Sequence, residues 1–451
     1  MQSPSSPTVS EISSMHSVVE KGSMMDVPLN NQEKQPPSDS ESAPEFPDGG
    51  LHAWLTVFGA ASLLFGTFGI AASYGVFQAY YEETLSVGTP NSLISFVGAF
   101  QVCIVQFGGI FVGHVWDTTG LKYLLPFSAA SALIALFTLS ICQPGANHFY
   151  QILLSQAVLF GIASCMAFSI ALAICSHWFA KKRGTAMGIV VAGSSLGGIF
   201  IPLIFTKVLS VAGFGWAVRT IACITALCYI IAFLTLRTRL PFKKTRPLSH
   251  SVDLSAFKDW AFVLMSIGSL FLIAGFPIPY FYMEVFANYY GVNPNIAKNL
   301  VTISNAAGFF GRISSGMLGD KFGKFNSVIP IALCCSLLCF LPWTLATGNG
   351  AALIVFAIFF GALSGSIVSL TPAAIVDISP RERVGARLGT HLAIVSIGSV
   401  TGPVIAGMIG AQLNPNSIRG VTLFSGSLFA VGSIFVIAAR MSLTRSLTAR
   451  R

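Results

Sequence analysis

From about residue 47 onward the chain alternates between long apolar stretches and short polar ones. Twelve stretches of roughly 20 apolar residues can be marked, each long enough for a helix to cross about 30 Å of hydrocarbon. They fall near 53–80, 92–114, 121–142, 149–177, 185–209, 215–236, 260–287, 297–318, 326–346, 351–376, 386–410 and 419–440. The pattern predicts an all-α membrane protein with twelve transmembrane helices. Ahead of them, Met1 to about Phe46 is rich in Ser, Pro, Glu and Gln and carries no apolar period. Such a segment buries too little surface to offset the entropy of ordering, so a disordered tail is expected over residues 1–46. It holds no apolar stretch of signal-peptide type, which leaves the first long run as an uncleaved insertion signal.

Charge tests the helix count. With the N-terminus inside, the inward segments hold nineteen of the 26 Lys and Arg residues, among them Lys181, Lys182, Arg183, Lys243, Lys244, Arg246, Lys321 and Lys324. The outward ends hold four: Lys207, Arg219, Lys298 and Arg419. An odd or missed span would scramble this bias, so both termini are expected to be cytoplasmic. Composition agrees with a membrane chain, at 53% hydrophobic and 10% charged with 37 Phe and 43 Gly. The net charge of +9 is spread over short loops and forms no basic domain, which argues against a nucleic-acid partner. Nine cysteines sit in or beside apolar runs, with no CxxC pair and no His at ligand spacing, so neither a disulfide framework nor a metal site is expected.

The chain repeats itself. "GHVWDTTGLK" echoes "GMLGDKFGKF": Gly113, Asp117 and Gly120 match Gly316, Asp320 and Gly323 at a constant offset of 203. "RGTAMGIVVAGSSLGGIFIP" echoes "VGARLGTHLAIVSIGSVTGP", where Gly184, Gly188, Ser195, Gly197 and Pro202 match Gly385, Gly389, Ser396, Gly398 and Pro403 at an offset of 201. Two pseudo-symmetric six-helix bundles are therefore expected, at 47–237 and 260–440. A basic linker over 238–259 would join them, and a short tail over 441–451 would follow. Paired bundles suit alternating access, with the Gly-Asp-Gly loops making and breaking contacts between states.

These loops resemble the signature of the major facilitator superfamily. "PDGGLHAW" (Pro47 to Trp54), "RGTAMGIVVAGSSLGG" (Arg183 to Gly198) and Arg312 in the eighth helix narrow the resemblance to the monocarboxylate-porter type. It covers about residues 47–440. The helices look like those of the fungal branch, which includes organic acid carriers, a riboflavin carrier and exporters of secondary metabolites. In the family the arginine matching Arg312 binds the substrate's carboxylate, a task suited to a planar bidentate donor. The chain departs from the animal members at two places. Gly308 stands where they carry an aspartate, and Gln78 where they carry a lysine, which points away from a plain lactate or pyruvate symporter.

On spacing, Ser304, Gly308, Gly311, Arg312 and Ser315 share one helix face, a small and polar stripe suited to lining a cavity. The alternative is an arginine snorkelling to the headgroups. Tyr74, Gln78, Tyr280, Tyr282 and Asn305 offer neutral hydrogen bonds or ring stacking to a substrate, or plain packing. Glu284 and His391 are the candidates for proton coupling, against a solvated carboxylate and a hydrogen-bonded neutral imidazole. Asp377, just before "SPRERVGAR", is expected to pair with those arginines. No P-loop is present, so the driving force would be a gradient, with proton coupling as the family expectation. No cofactor is implied, and no nucleophile, base and orienting group gather on sequence spacing, which argues against an enzyme. The reading is a secondary transporter of an organic acid or carboxylated metabolite in the plasma membrane or an internal membrane such as the vacuole, with uptake and export both open. A transporter-like sensor signalling through the Ser-rich tail is the alternative.

Overall fold

The computed structural model describes residues 47–81, 84, 91–143, 145–239, 254–380, 383–410 and 414–443, the side chains of 79, 91, 92, 95, 114, 117, 118 and 146 excepted. The expected tail over 1–46, the linker core over 240–253, the end from 444 and the Asp117 carboxylate lie outside that set. Among the described residues every element is helical and there is no strand. Nine of the helices are long and apolar enough to cross a membrane. Three further passes complete the twelve.

One comes from Arg183–Thr235, which is two helices meeting at Gly213, whose φ of 80° and ψ of 176° break the helical path where a side chain would be strained. Another is the first pass, made of Leu51–Gly66, Phe68–Ala72 and Tyr74–Tyr80 end to end. The Thr67 and Ser73 hydroxyls at its breaks bond back to the Leu63 and Gly69 carbonyls. The last is Pro294–Phe322, whose apolar character is diluted by its polar face. We number the passes α1 (51–80), α2 (91–119), α3 (Leu121–Leu139), α4 (Phe149–Trp178), α5 (183–212), α6 (214–235), α7 (Trp260–Tyr289), α8 (Pro294–Phe322), α9 (Lys324–Trp343), α10 (Gly350–Ile378), α11 (Val384–Gly410) and α12 (Pro415–Leu443). Helix α7 is interrupted at Phe276, between Gly275 and Pro277.

The outer faces carry bare apolar side chains such as Leu234 at 74% exposure and Phe310 at 71%, which belong against lipid tails. Inside are two cores. One gathers residues between Ala53 and Leu236 with Ala373 and Leu392, the other residues between Ala256 and Ala439. Helices meet on small residues, as they must where lipid supplies no hydrophobic drive. In the first core Gly197 of α5 lies on Gly69 of α1, and in the second Gly398 of α11 lies on Leu270 of α7. The offset of 201 carries the first pair onto the second.

The cores join chiefly through two crossings, α5 with α8 and α2 with α11. They correspond position by position. A Cβ on Gly188 would overlap the Arg312 carbonyl oxygen, and one on Gly389 would come within 3.5 Å of the Gly109 carbonyl. A Cβ on Gly316 would overlap the Gly184 carbonyl oxygen, whereas one on the equivalent Gly113 would clear that of Gly385 by 3.8 Å. The repeat is thus a repeat of contacts, but the α5–α8 crossing is the tighter one.

Candidate functional site

Arg312 sits on the α8 face toward α5 and is 6% exposed. One terminal nitrogen donates to the Ser194 hydroxyl at 3.0 Å, to the Ser195 hydroxyl, and at 3.5 Å to the Val191 carbonyl of α5. Its buried Nε has no partner among the described residues. No carboxylate pairs with it there either. A guanidinium so placed is held by dipoles from the opposite half while its charge lacks a counterion. Burial of that kind is costly unless an anion arrives.

The snorkelling alternative fails, because the side chain crosses to α5 and not to an interface. The cavity-lining expectation for its neighbours needs correction. Ser304, Gly308, Gly311, Arg312 and Ser315 do share the buried face, but its glycines are pressed against α10. A Cβ on Gly311 would overlap the Ala362 carbonyl, and one on Gly308 would stand 3.2 Å from the Gly361 carbonyl. The stripe is small so that α10 can approach closely, not so that a cavity can be wet.

Asn305 is buried one turn before Gly308, with its carboxamide against Gly198 of α5 and its Nδ2 without a partner among the described residues. Tyr280 of α7 lies within electrostatic reach of Arg312 and places its hydroxyl 3.5 Å from that of Ser364 on α10. Arg312, Asn305 and Tyr280 are thus brought to the α5–α8–α10 region. Tyr74 is buried on α1 and donates its hydroxyl to the Ile94 carbonyl of α2 at 2.5 Å, so its polar end is occupied. Gln78 is partly exposed on the last segment of α1, and Tyr282 lines a small recess with Phe286 and Trp343. His391 is buried, with Nδ1 3.1 Å from the Ser266 hydroxyl of α7, inside the second core. Glu284, half-buried on α7, interacts with Lys298 of α8.

The paired loops are built into the contact between halves. Asp320 accepts from the Gly184 N–H at 2.9 Å, the Thr185 N–H at 2.8 Å and the Thr185 hydroxyl at 2.9 Å, the first turn of α5. A carboxylate at a helix N-terminus satisfies orphan donors and complements the dipole. Lys324 bridges Asp320 at 3.5 Å and Asp377 at 3.1 Å. Asp377 therefore pairs with Lys324; of the arginines that follow it, Arg381 lies outside the described residues and Arg387 binds Asp259 at 3.0 Å.

Asp48, quoted in a motif but given no role on sequence, clamps the same loop from the other side. Its carboxylate accepts from the N–H groups of Ala180 at 2.7 Å, Lys181 at 2.8 Å and Lys182 at 3.3 Å. Slight burial works to raise the carboxyl, but the three N–H donors and the Lys181 charge outweigh it and hold the group below its ordinary 3.8. Ser194 and Ser364 were also missed. Ser195 was visible only as a match in the repeat, and serines in apolar helices give no stronger signal.

The major facilitator superfamily profile matches residues 63–346 and, in a second match, 265–449. The MFS transporter asaE of Aspergillus flavus is 36% identical over 415 residues, 92% of this chain and 92% of that protein. The aspyridones efflux protein apdF of Emericella nidulans is 35% identical over 90% of this chain and 81% of its own length. The agnestins efflux protein AgnL12 of Paecilomyces divaricatus is 33% identical over 88% and 89%. Among solved structures, the proton:xylose symporter XylE bound to 6-bromo-6-deoxy-D-glucose superposes with a TM-score of 0.65 at 14% identity, covering 86% of this chain and 95% of that one, a likeness of fold. Twelve helices in two corresponding sets, the Gly-Asp-Gly loops at their contact, and relatives matched along nearly their whole length lead to one conclusion: the chain belongs to the major facilitator superfamily of membrane transporters, among its fungal members.

Proposed function

We propose that the protein exports a carboxylate-bearing secondary metabolite and is of the monocarboxylate-porter type. The observation that carries the substrate class is Arg312: buried, held by neutral groups of the opposite half, with a free Nε and no carboxylate partner among the described residues. A bound carboxylate would supply the missing counterion and take a charge-assisted bond from that nitrogen. Asn305 and Tyr280 stand beside it to read the rest of the molecule. Export is supported by the relatives whose names record efflux of aspyridones and of agnestins.

The bundles at 47–237 and 260–440 rock about the α5–α8 and α2–α11 crossings, with both termini cytoplasmic and the plasma membrane as the site of action. A proton is the coupling ion and Glu284 its carrier, since His391 is tied to Ser266 within its own core. The test is complementation of a deletion strain, with acidic metabolites measured in medium and cells. Wild type restores secretion. Arg312→Lys, which keeps the charge but loses the planar fork, lowers secretion about tenfold at equal membrane abundance. Unaltered secretion by that variant would reject the carboxylate role.

A further inference from the structure

A recess of about 460 Å³ opens at the linker-side end of the first core, where the start of α3 meets the end of α6. Its lining is Leu121, Lys122, Leu125, Phe233, Leu236, Arg237 and Thr238: two cations, one hydroxyl, four apolar side chains and no acid. Neither cation has an anionic partner among the described residues. Trp178 donates its indole N–H to the Arg237 carbonyl at 2.9 Å, which fixes the chain where Arg237 leaves α6. Helix α3 begins after Gly120 with no side chain capping its first N–H groups, so the positive end of its dipole lies beside Lys122.

We infer that this recess binds the headgroup of an anionic glycerophospholipid from the leaflet on the linker side. The charges call for a phosphate-bearing anion. The apolar floor distinguishes a lipid from a soluble phosphate: Leu121, Leu125, Phe233 and Leu236 continue onto exposed Tyr123, Phe127 and Leu234, a greasy track along α3 and α6 for acyl chains. Thr238 offers a hydroxyl to the headgroup. Transport does not enter the argument, so the inference stands apart from the substrate proposal.

The test is native mass spectrometry of full-length protein released from vesicles of equal phosphatidylcholine and phosphatidylinositol. Wild type retains phosphatidylinositol in preference. The double variant Lys122→Ala/Arg237→Ala lowers that preference by roughly tenfold to thirtyfold, the loss of two interfacial cations. Lys122→Arg/Arg237→Lys restores it and separates lost charge from lost fold. Equal retention of both lipids by wild type, an unchanged ratio in the alanine variant, or loss in the charge-preserving variant overturns the site. Displacement of the lipid by millimolar inorganic phosphate would assign the recess to a soluble anion and overturn the lipid.

Discussion

Gly308 stands one turn before Arg312, and a Cβ there would lie 3.2 Å from the Gly361 carbonyl of α10 and 3.5 Å from the Ser195 hydroxyl of α5. On sequence the residue reads as a missing carboxylate. In the folded chain it is a contact point between three helices, and an acid has no room while α10 stays this close. Gly361 completes the reason, since a Cβ on it would overlap the Ser304 carbonyl of α8. Gly308→Asp is therefore expected to cost about 1–3 kcal/mol by overpacking. On the proposed function, its carboxylate would also occupy the Arg312 charge that a substrate carboxylate would take. The variant should show a lowered thermal midpoint in detergent and lost secretion; wild-type values for both would mean that α8 and α10 have slack. Arg312 itself was legible, because a charge in an apolar run stands out. Its partners Ser194 and Ser195 were not, because which helix crosses α8 is a matter of tertiary packing.

The repeat offsets of 203 and 201 identify which helices correspond, and the structure turns them into matching crossings. What they do not carry is closeness. A Cβ on Gly316 would overlap the Gly184 carbonyl, while one on Gly113 would clear that of Gly385 by 3.8 Å. An added methyl should therefore act on one crossing only. Gly316→Ala is expected to loosen α5 from α8 and raise amide exchange at the start of α5, over about 183–190. Gly113→Ala should leave exchange over 384–390 of α11 at its wild-type rate. Equal responses would erase the asymmetry. Similar limits explain the misplaced ion pair. Asp377 lies just before a run of arginines, and proximity in sequence points to them, but α10 delivers it to Lys324 at the start of α9. Arg440 is one of the nineteen inward cations, yet it is fully buried and donates from Nε to the Asn326 side-chain oxygen at 3.0 Å. The helices and their pairing were written in apolar length and repeated glycines, whereas partners chosen by packing were not.

At the scale of the whole molecule, the halves are closed at the linker-side end. Their contact runs along α5 from Gly184 on Asp320 to Gly198 on Asn305. The segment 180–185 is gripped by two carboxylates with different tasks. Asp48 belongs to the same half and holds Ala180, Lys181 and Lys182, so it moves with α5 in any rocking motion. Asp320 comes from the other half, and its three bonds to Gly184 and Thr185 must break for this end to open. Because the Asp48 carboxyl is held below 3.8, its contribution is complete above that value and is lost only as pH falls through the lowered one. The clamp therefore stays set at any physiological pH, and of these two carboxylates it is Asp320, which joins the halves, that can act as a latch. Hydrogen bonds to a charged group contribute about 1.5–3 kcal/mol each, so removing the charge should shift the closed and open populations by tenfold or more. The reporter is Ser315→Cys, placed at a buried serine in α8, in a variant whose nine natural cysteines have been replaced. Asp320→Asn should raise its labelling by an impermeant maleimide from the linker side severalfold, and Asp48→Asn, which weakens a clamp within one half, should raise it far less. Equal labelling in the Asp320→Asn variant and its parent would show that the contact rides along with the motion and does not hold it closed.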